Sequence, residues 1–125
     1  MIHGVGTDIL RVARMEEALA RHGERFAWRI LAESERAGFT AALAPARYLA
    51  KRFAAKEAFG KALGTGVAVP ATLHAVRVAH DQLGKPLFEY SRSLAVHLAE
   101  RGLVAHLSLS DETDHVVAFA VIEKP

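Results

Sequence analysis

Three side chains in this sequence have types and spacing suited to joint chemistry: Asp8, Glu57 and Lys61. Glu57 and Lys61 are four residues apart, so on a helix they share one face. They end a ladder that begins Leu49 and Phe53. An acid on the line of an apolar stripe needs a partner, because an unpaired buried charge is costly. The ordinary reading of Glu57 and Lys61 is a solvated helix pair worth about 0.2–0.5 kcal/mol. The chemical reading is that Glu57 and Asp8, from separate segments, hold a hard dication such as Mg²⁺, with Lys61 placed to neutralise a phosphate oxygen. That set suits phosphoryl-type transfer.

Two further features could extend it. Gly84-Lys85-Pro86 forms a turn carrying a lysine, and His106, Ser108 and Ser110 fall on one polar strand face. The histidines do not pair at HxH or HExxH spacing, so they give no convincing zinc site, and no cysteine is present. Gly4-x-Gly6 lacks the third glycine of a dinucleotide fingerprint, and neither a Walker sequence nor GxSxG occurs.

The elements that must position these groups follow from periodicity. Ile2–Ile9 reads as a strand with Val5, Thr7 and Ile9 on one face and Gly4, Gly6 and Asp8 on the other. The glycines leave a bare backbone face that a ligand or another element could approach closely. Asp8 has a second reading, as the cap of the next helix. That helix is expected from Leu10 to His22, stopped by Gly23. Arg11, Arg14, Arg21 and, if the helix runs on, Arg25 lie along one side. This stripe is either a solvated basic face or a docking surface for an acidic partner. Helical pattern continues over Phe26–Leu31 and from Ser34 to Leu43. Pro45 suits the first turn of a long helix that Gly64 ends.

The period changes in the second half. Strands are expected at 74–80 and 87–90, paired across the turn at 81–86. A helix capped by Ser91 or Ser93 should run to Arg101, followed by strands at 104–110 and 115–122, the last apolar enough to be central. Together these give an α+β fold with a mainly antiparallel sheet packed with helices, in one domain over residues 1–125.

Composition narrows the class. Apolar residues make up 51% of the 125 positions, enough for one core. No apolar run approaches a membrane span, and Met1-Ile2-His3-Gly4 has no leader character. With no cysteine, a cytoplasmic setting is the simplest expectation. Net charge is +2, a mild bias toward anions. It is too small for a nucleic-acid signature, and no aromatic stacking platform is evident.

The motifs also resemble a family. Gly4-Val5-Gly6-Thr7-Asp8-Ile9, Arg52-Phe53-Ala54-Ala55-Lys56-Glu57-Ala58 with Lys61, and Gly64-Thr65-Gly66 are its most specific parts. The Gly84-Lys85-Pro86 turn and His106-Leu107-Ser108-Leu109-Ser110 follow in order. On these the chain resembles the holo-acyl-carrier-protein synthases, the small bacterial 4′-phosphopantetheinyl transferases, over essentially its whole length.

The resemblance implies transfer of phosphopantetheine from coenzyme A to a serine of apo acyl carrier protein, releasing 3′,5′-ADP and supporting fatty acid synthesis. It implies that Asp8 and Glu57 bind Mg²⁺, that Glu57 takes the serine proton directly or through water, and that Lys61 steadies the diphosphate. Arg52, Gly64, Lys85, Pro86 and His106 become candidates for holding coenzyme A, and Arg14, Arg21 and Arg25 for meeting the acidic carrier. It implies a homotrimer with sites at subunit interfaces. The family commonly has a histidine where Asp111 stands, so Asp111 either marks a departure or caps a turn. The competing class is a non-catalytic module of the same fold that binds coenzyme A or the carrier.

Overall fold

The computed structural model describes all residues, Met1–Pro125. In chain order the elements are β1 (Ile2–Arg11), α1 (Val12–His22), α2 (Glu24–Ile30), α3 (Glu33–Ala41) and α4 (Pro45–Leu63). They continue as β2 (Val76–His80), β3 (Pro86–Tyr90), α5 (Arg92–Arg101), β4 (Val104–Asp111) and β5 (His115–Glu123). The fold is α+β with antiparallel pairing throughout, as expected, but the strands form two sheets. One has the order β1-β5-β4, and the other is the β2-β3 hairpin. The apolar β5 is central, as its composition implied. No helix is long and apolar enough to cross a membrane.

The long helix ends where its sequence says. Pro45 takes the first turn, where a missing N–H costs nothing, and Gly64 closes the helix at φ 93°. Ser91, rather than Ser93, caps α5 by accepting from the Leu94 N–H. Other boundaries move. β1 runs on to Arg11 because Leu10 and Arg11 pair with Val116 and His115 of β5, a ladder that local sequence cannot reveal. Helix α1 therefore starts at Val12, with no side-chain cap. Gly23 at φ 68° breaks the basic helix, so Arg25 sits on α2 instead of extending α1.

The three-stranded sheet has one covered face and one open face. On the covered face Gly4, Gly6, Asp8 and Leu10 lie opposite Ile122, Ala120, Ala118 and Val116. All four β5 residues are fully buried. Helix α4 rests on this face, and the glycines bring it very close. A Cβ on Gly6 would stand 2.0 Å from the Ala58 carbonyl oxygen, and one on Gly4 2.0 Å from that of Ala62. The bare backbone face thus receives a helix. The open face carries Val5, Thr7 and Ile9 with Phe119, His106 and Ser108. The apolar side of β1 is the exposed side.

Gly6→Ala is expected to push α4 off β1 and lower stability by about 1–3 kcal/mol, the usual range for overpacking. Urea unfolding reads this directly, and an unchanged midpoint would show that the helix does not seat on the glycine backbone.

Candidate active site

Asp8 lies within β1, paired opposite Ala118, and does not cap α1. Its alternation turns it toward α4, and the glycines two and four residues before it hold that helix close. Lys61 reaches back from α4. Its Nζ donates to the Thr7 carbonyl at 2.8 Å and lies 3.4 Å from Asp8 Oδ1. Glu57, one turn earlier, completes the group. The ladder predicted on α4 therefore runs from core to surface: Leu49 is fully buried, Phe53 and Glu57 are half-buried, and Lys61 is exposed.

The electrostatics are those of two acids near one ammonium, which pairs with Asp8 and not with Glu57. Partial burial pushes the Asp8 carboxyl up, with Lys61 and then Arg14 opposing the shift. Burial also raises Glu57, and repulsion from Asp8 adds to it, with Lys61 opposing. Arg14 was expected to face a partner, yet its charge also reaches Asp8. The donor set fits Mg²⁺: two hard carboxylates, a local excess of negative charge, and no histidine or thiolate to favour a softer metal. No cluster of three or more potential metal-binding side chains exists.

The other candidates stand elsewhere on the chain. Arg52 faces inward. Its Nε lies 3.4 Å from Glu35 Oε2, and its guanidinium stacks over the Tyr48 ring at 3.8 Å. With Arg47, Tyr48, Lys51 and His80 it borders a basic cavity of about 340 Å³. Lys85 and Pro86 leave the turn beside this region, since Pro86 pairs with His80. Asp81 Oδ1 shapes that turn by accepting the Leu83 and Lys85 N–H groups. Gly64 sits at the α4 terminus, just past Lys61. His106 is on the open sheet face, with Nε2 2.6 Å from Glu123 Oε2. One chain therefore turns His106 and Asp8 to opposite faces of the same sheet. Arg14, Arg21 and Arg25 are all exposed.

Two pairings escaped the sequence reading, which weighed Asp111 only as a departure or a turn cap. Lys56 is fully buried behind Glu57 and donates to Ile30 O, Glu35 Oε1 and Leu73 O at 2.6–2.8 Å. Its position among buried alanines on a helix was the available signal. Asp111 ends β4, pairing with Arg47 and with Lys51 at 3.1 Å. Arg47 also donates to the Glu112 and Thr113 carbonyls. The acid at this position clamps the β4–β5 turn to the start of α4.

A family model, the 4′-phosphopantetheinyl transferase superfamily, matches residues 4–120. The chain is 71% identical over 124 residues to holo-[acyl-carrier-protein] synthase of Aromatoleum aromaticum, covering 99% of each. Among solved structures it resembles the holo-[acyl-carrier-protein] synthase of Neisseria meningitidis, at a TM-score of 0.95 and 47% identity, covering 99% of this chain and 100% of that one. It also resembles the Bacillus anthracis holo-(acyl-carrier-protein) synthase in complex with CoA (3′,5′-ADP). There the TM-score is 0.83 and the identity 34%, covering 100% of this chain and 99% of the other.

Burial raises the Asp111 carboxyl, but hydrogen bonds from Arg47 and Lys51, with their charges, outweigh it and hold the group below 3.8. A depressed carboxylate stabilises the fold above its unfolded pKa, and the effect is lost as pH falls through the folded value. Asp111→Asn should therefore be less stable than wild type at neutral pH, by about 1 kcal/mol or less because the pair is partly exposed. The difference should shrink from near pH 3.8 downward. Unfolding midpoints across pH check this, and a difference that persists unchanged in acid would remove the clamp.

Proposed function

The chain belongs to the 4′-phosphopantetheinyl transferase superfamily, and on that premise we propose that it transfers 4′-phosphopantetheine from coenzyme A to the serine of an apo acyl carrier protein. What supports the reading within this chain is the convergence of Asp8, Glu57 and Lys61 from two elements. The serine oxygen forms a bond to the phosphorus that carries pantetheine, and the bond from that phosphorus to the bridging oxygen breaks. The leaving group is 3′,5′-ADP. Glu57 accepts the serine proton. Lys61, fixed by the Thr7 carbonyl, holds the diphosphate by charge-assisted hydrogen bonding. Asp8 and Glu57 would hold Mg²⁺, whose contribution when bound is to polarise the phosphate oxygens.

Coenzyme A is held in this reading by Lys61, by the backbone near Gly64, and by Lys85, Pro86 and His106. Arg52 reaches it only at the edge of the basic cavity, because Glu35 and Tyr48 occupy its guanidinium. Arg14, Arg21 and Arg25 meet the acidic carrier, which steers encounter more than it adds affinity. Carriers of fatty acid synthesis in the cytoplasm are the natural substrates for such a chain. Asp111 gives no support to a silent binding module, since the structure employs it as a clamp.

Because His106 and Asp8 occupy opposite sheet faces, they meet one ligand only if two copies of the chain adjoin. The open face has apolar side chains to bury: Val5 is 55% exposed, Ile9 65% and Phe119 41%. We take the assembly to be a homotrimer with the site between subunits.

Purified apo acyl carrier protein incubated with the protein, coenzyme A and Mg²⁺ should gain one phosphopantetheinyl group by intact mass, and EDTA should prevent it. Glu57→Gln should lower kcat by about 10²–10⁴-fold, the usual weight of a positioned base, with the fold intact. Absence of any mass gain with several carriers would sink the transferase reading. Light scattering should give three times the 13.6 kDa chain mass. Ile9→Glu should yield a folded monomer without transfer activity, and an active monomer would refute the shared site.

A further inference from the structure

Helix α4 carries Glu57 and Lys61, yet its contact with the sheet has little relief. Gly4 and Gly6 offer only backbone, and the helix meets the core through Ala54, Ala55, Ala58 and Ala62, each at most 2% exposed. On β5, Ala120 pairs opposite Gly6 and Ala118 opposite Asp8, with the larger Ile122 and Val116 beyond them at either end. Around Gly6 such a surface permits close approach but provides few knobs to fix rotation or axial position. The large Phe59 packs on Phe88 and Tyr90 of the other sheet instead.

The directional contact lies on the far side. Lys56 is fully buried, and its three N–H groups meet three acceptors from three segments: Ile30 O at 2.8 Å, Glu35 Oε1 at 2.6 Å and Leu73 O at 2.7 Å. Every donor of the ammonium is used. Glu35 is equally committed, accepting the Ala32 and Val78 N–H groups as well. A well-packed apolar pair could serve stability as well as a buried ion pair, so what the charges add here is direction.

We propose that Lys56 is a positioning residue for the transfer reaction: its three hydrogen bonds fix the rotation and height of α4, and thereby aim Glu57 and Lys61 at Asp8. The leverage is large. With side chains the helix radius is about 5–6 Å, so a rotation of about 10° moves the Glu57 carboxylate by about 1 Å. A misplacement of that size can cost about 10²-fold in rate. The inference rests on the transferase reading for its kinetic half only.

The test compares wild type with the pair variant Lys56→Met/Glu35→Gln, which removes the charges together, keeps the length at 35 and shortens the side chain at 56 by one atom. We expect the pair variant to stay folded by thermal melting, with kcat down about 10²-fold and KM for coenzyme A within about threefold. A folded pair variant with kcat within threefold of wild type would overturn the proposal. A rise in KM at constant kcat would also overturn it. If the pair variant does not fold, Lys56→Gln, which retains two donors, is judged by the same criteria. Crystal structures supply a readout independent of activity. Displacement of the Glu57 and Lys61 side chains relative to Asp8 supports the proposal, and an unmoved cluster overturns it. A wild-type protein that transfers nothing defeats the transferase reading, while the displacement still decides the positioning.

Discussion

The buried contact between Lys56 and Glu35 is what the rest of this structure depends on. The pair is 2.6 Å apart, and both side chains are almost wholly removed from water. Desolvation drives the Lys56 pKa down, and only the adjacent Glu35 charge and hydrogen bond oppose it. Losing one partner of such a pair typically costs about 3–5 kcal/mol, because the other is left charged and dry. Here each partner also satisfies backbone groups. Through them the end of α2, the start of α3, helix α4, the segment before β2 and β2 itself meet at one point. Arg52 and Tyr48 add a layer around Glu35, with the Tyr48 hydroxyl donating to the Glu35 carbonyl.

Helix α4 is held from two sides by different physics. Toward the hub it is fixed by directional bonds, and toward β1 it is drawn in by missing side chains. The second device brings the helix backbone against the strand backbone and lets Asp8 and Lys61 meet. Neither would place the carboxylates alone. Glycines without the hub would allow close but poorly registered packing, and the hub without glycines would hold the helix too far from Asp8. The result is two acids near enough to repel, with one ammonium against Asp8, an arrangement suited to anionic substrates and hard cations.

The sheet divides the remaining candidate groups. Strand alternation sends Asp8 toward α4 and His106 to the open face, so a single chain presents an acidic cluster on one face and a separate polar strip on the other. Exposed Val5, Ile9 and Phe119 beside that strip give a physical reason for another copy to cover it. The clamp of Asp111 with Arg47 and Lys51 fixes the neighbouring β4–β5 turn against α4. The open face is thereby coupled to the helix that carries Glu57 and Lys61.

By itself the sequence determined whatever local rules govern. Pro45 and Gly64 bounded α4, alternation over 104–110 placed the polar strip, and the apolar run after His115 marked the central strand. Helical spacing put Glu57 beside Lys61, and strand spacing put Asp8 on the glycine face. Only the tertiary structure decided which face of β1 is covered, since alternation defines two faces without saying what meets them. It alone extended β1 through Leu10 and Arg11, because that pairing is with residues more than a hundred positions away. It alone joined Glu35 to Lys56, 21 residues apart, and Arg47 to Asp111, 64 apart. Periodicity reports what a residue's neighbours in sequence require, whereas a buried charge is settled by whichever partner the fold brings to it.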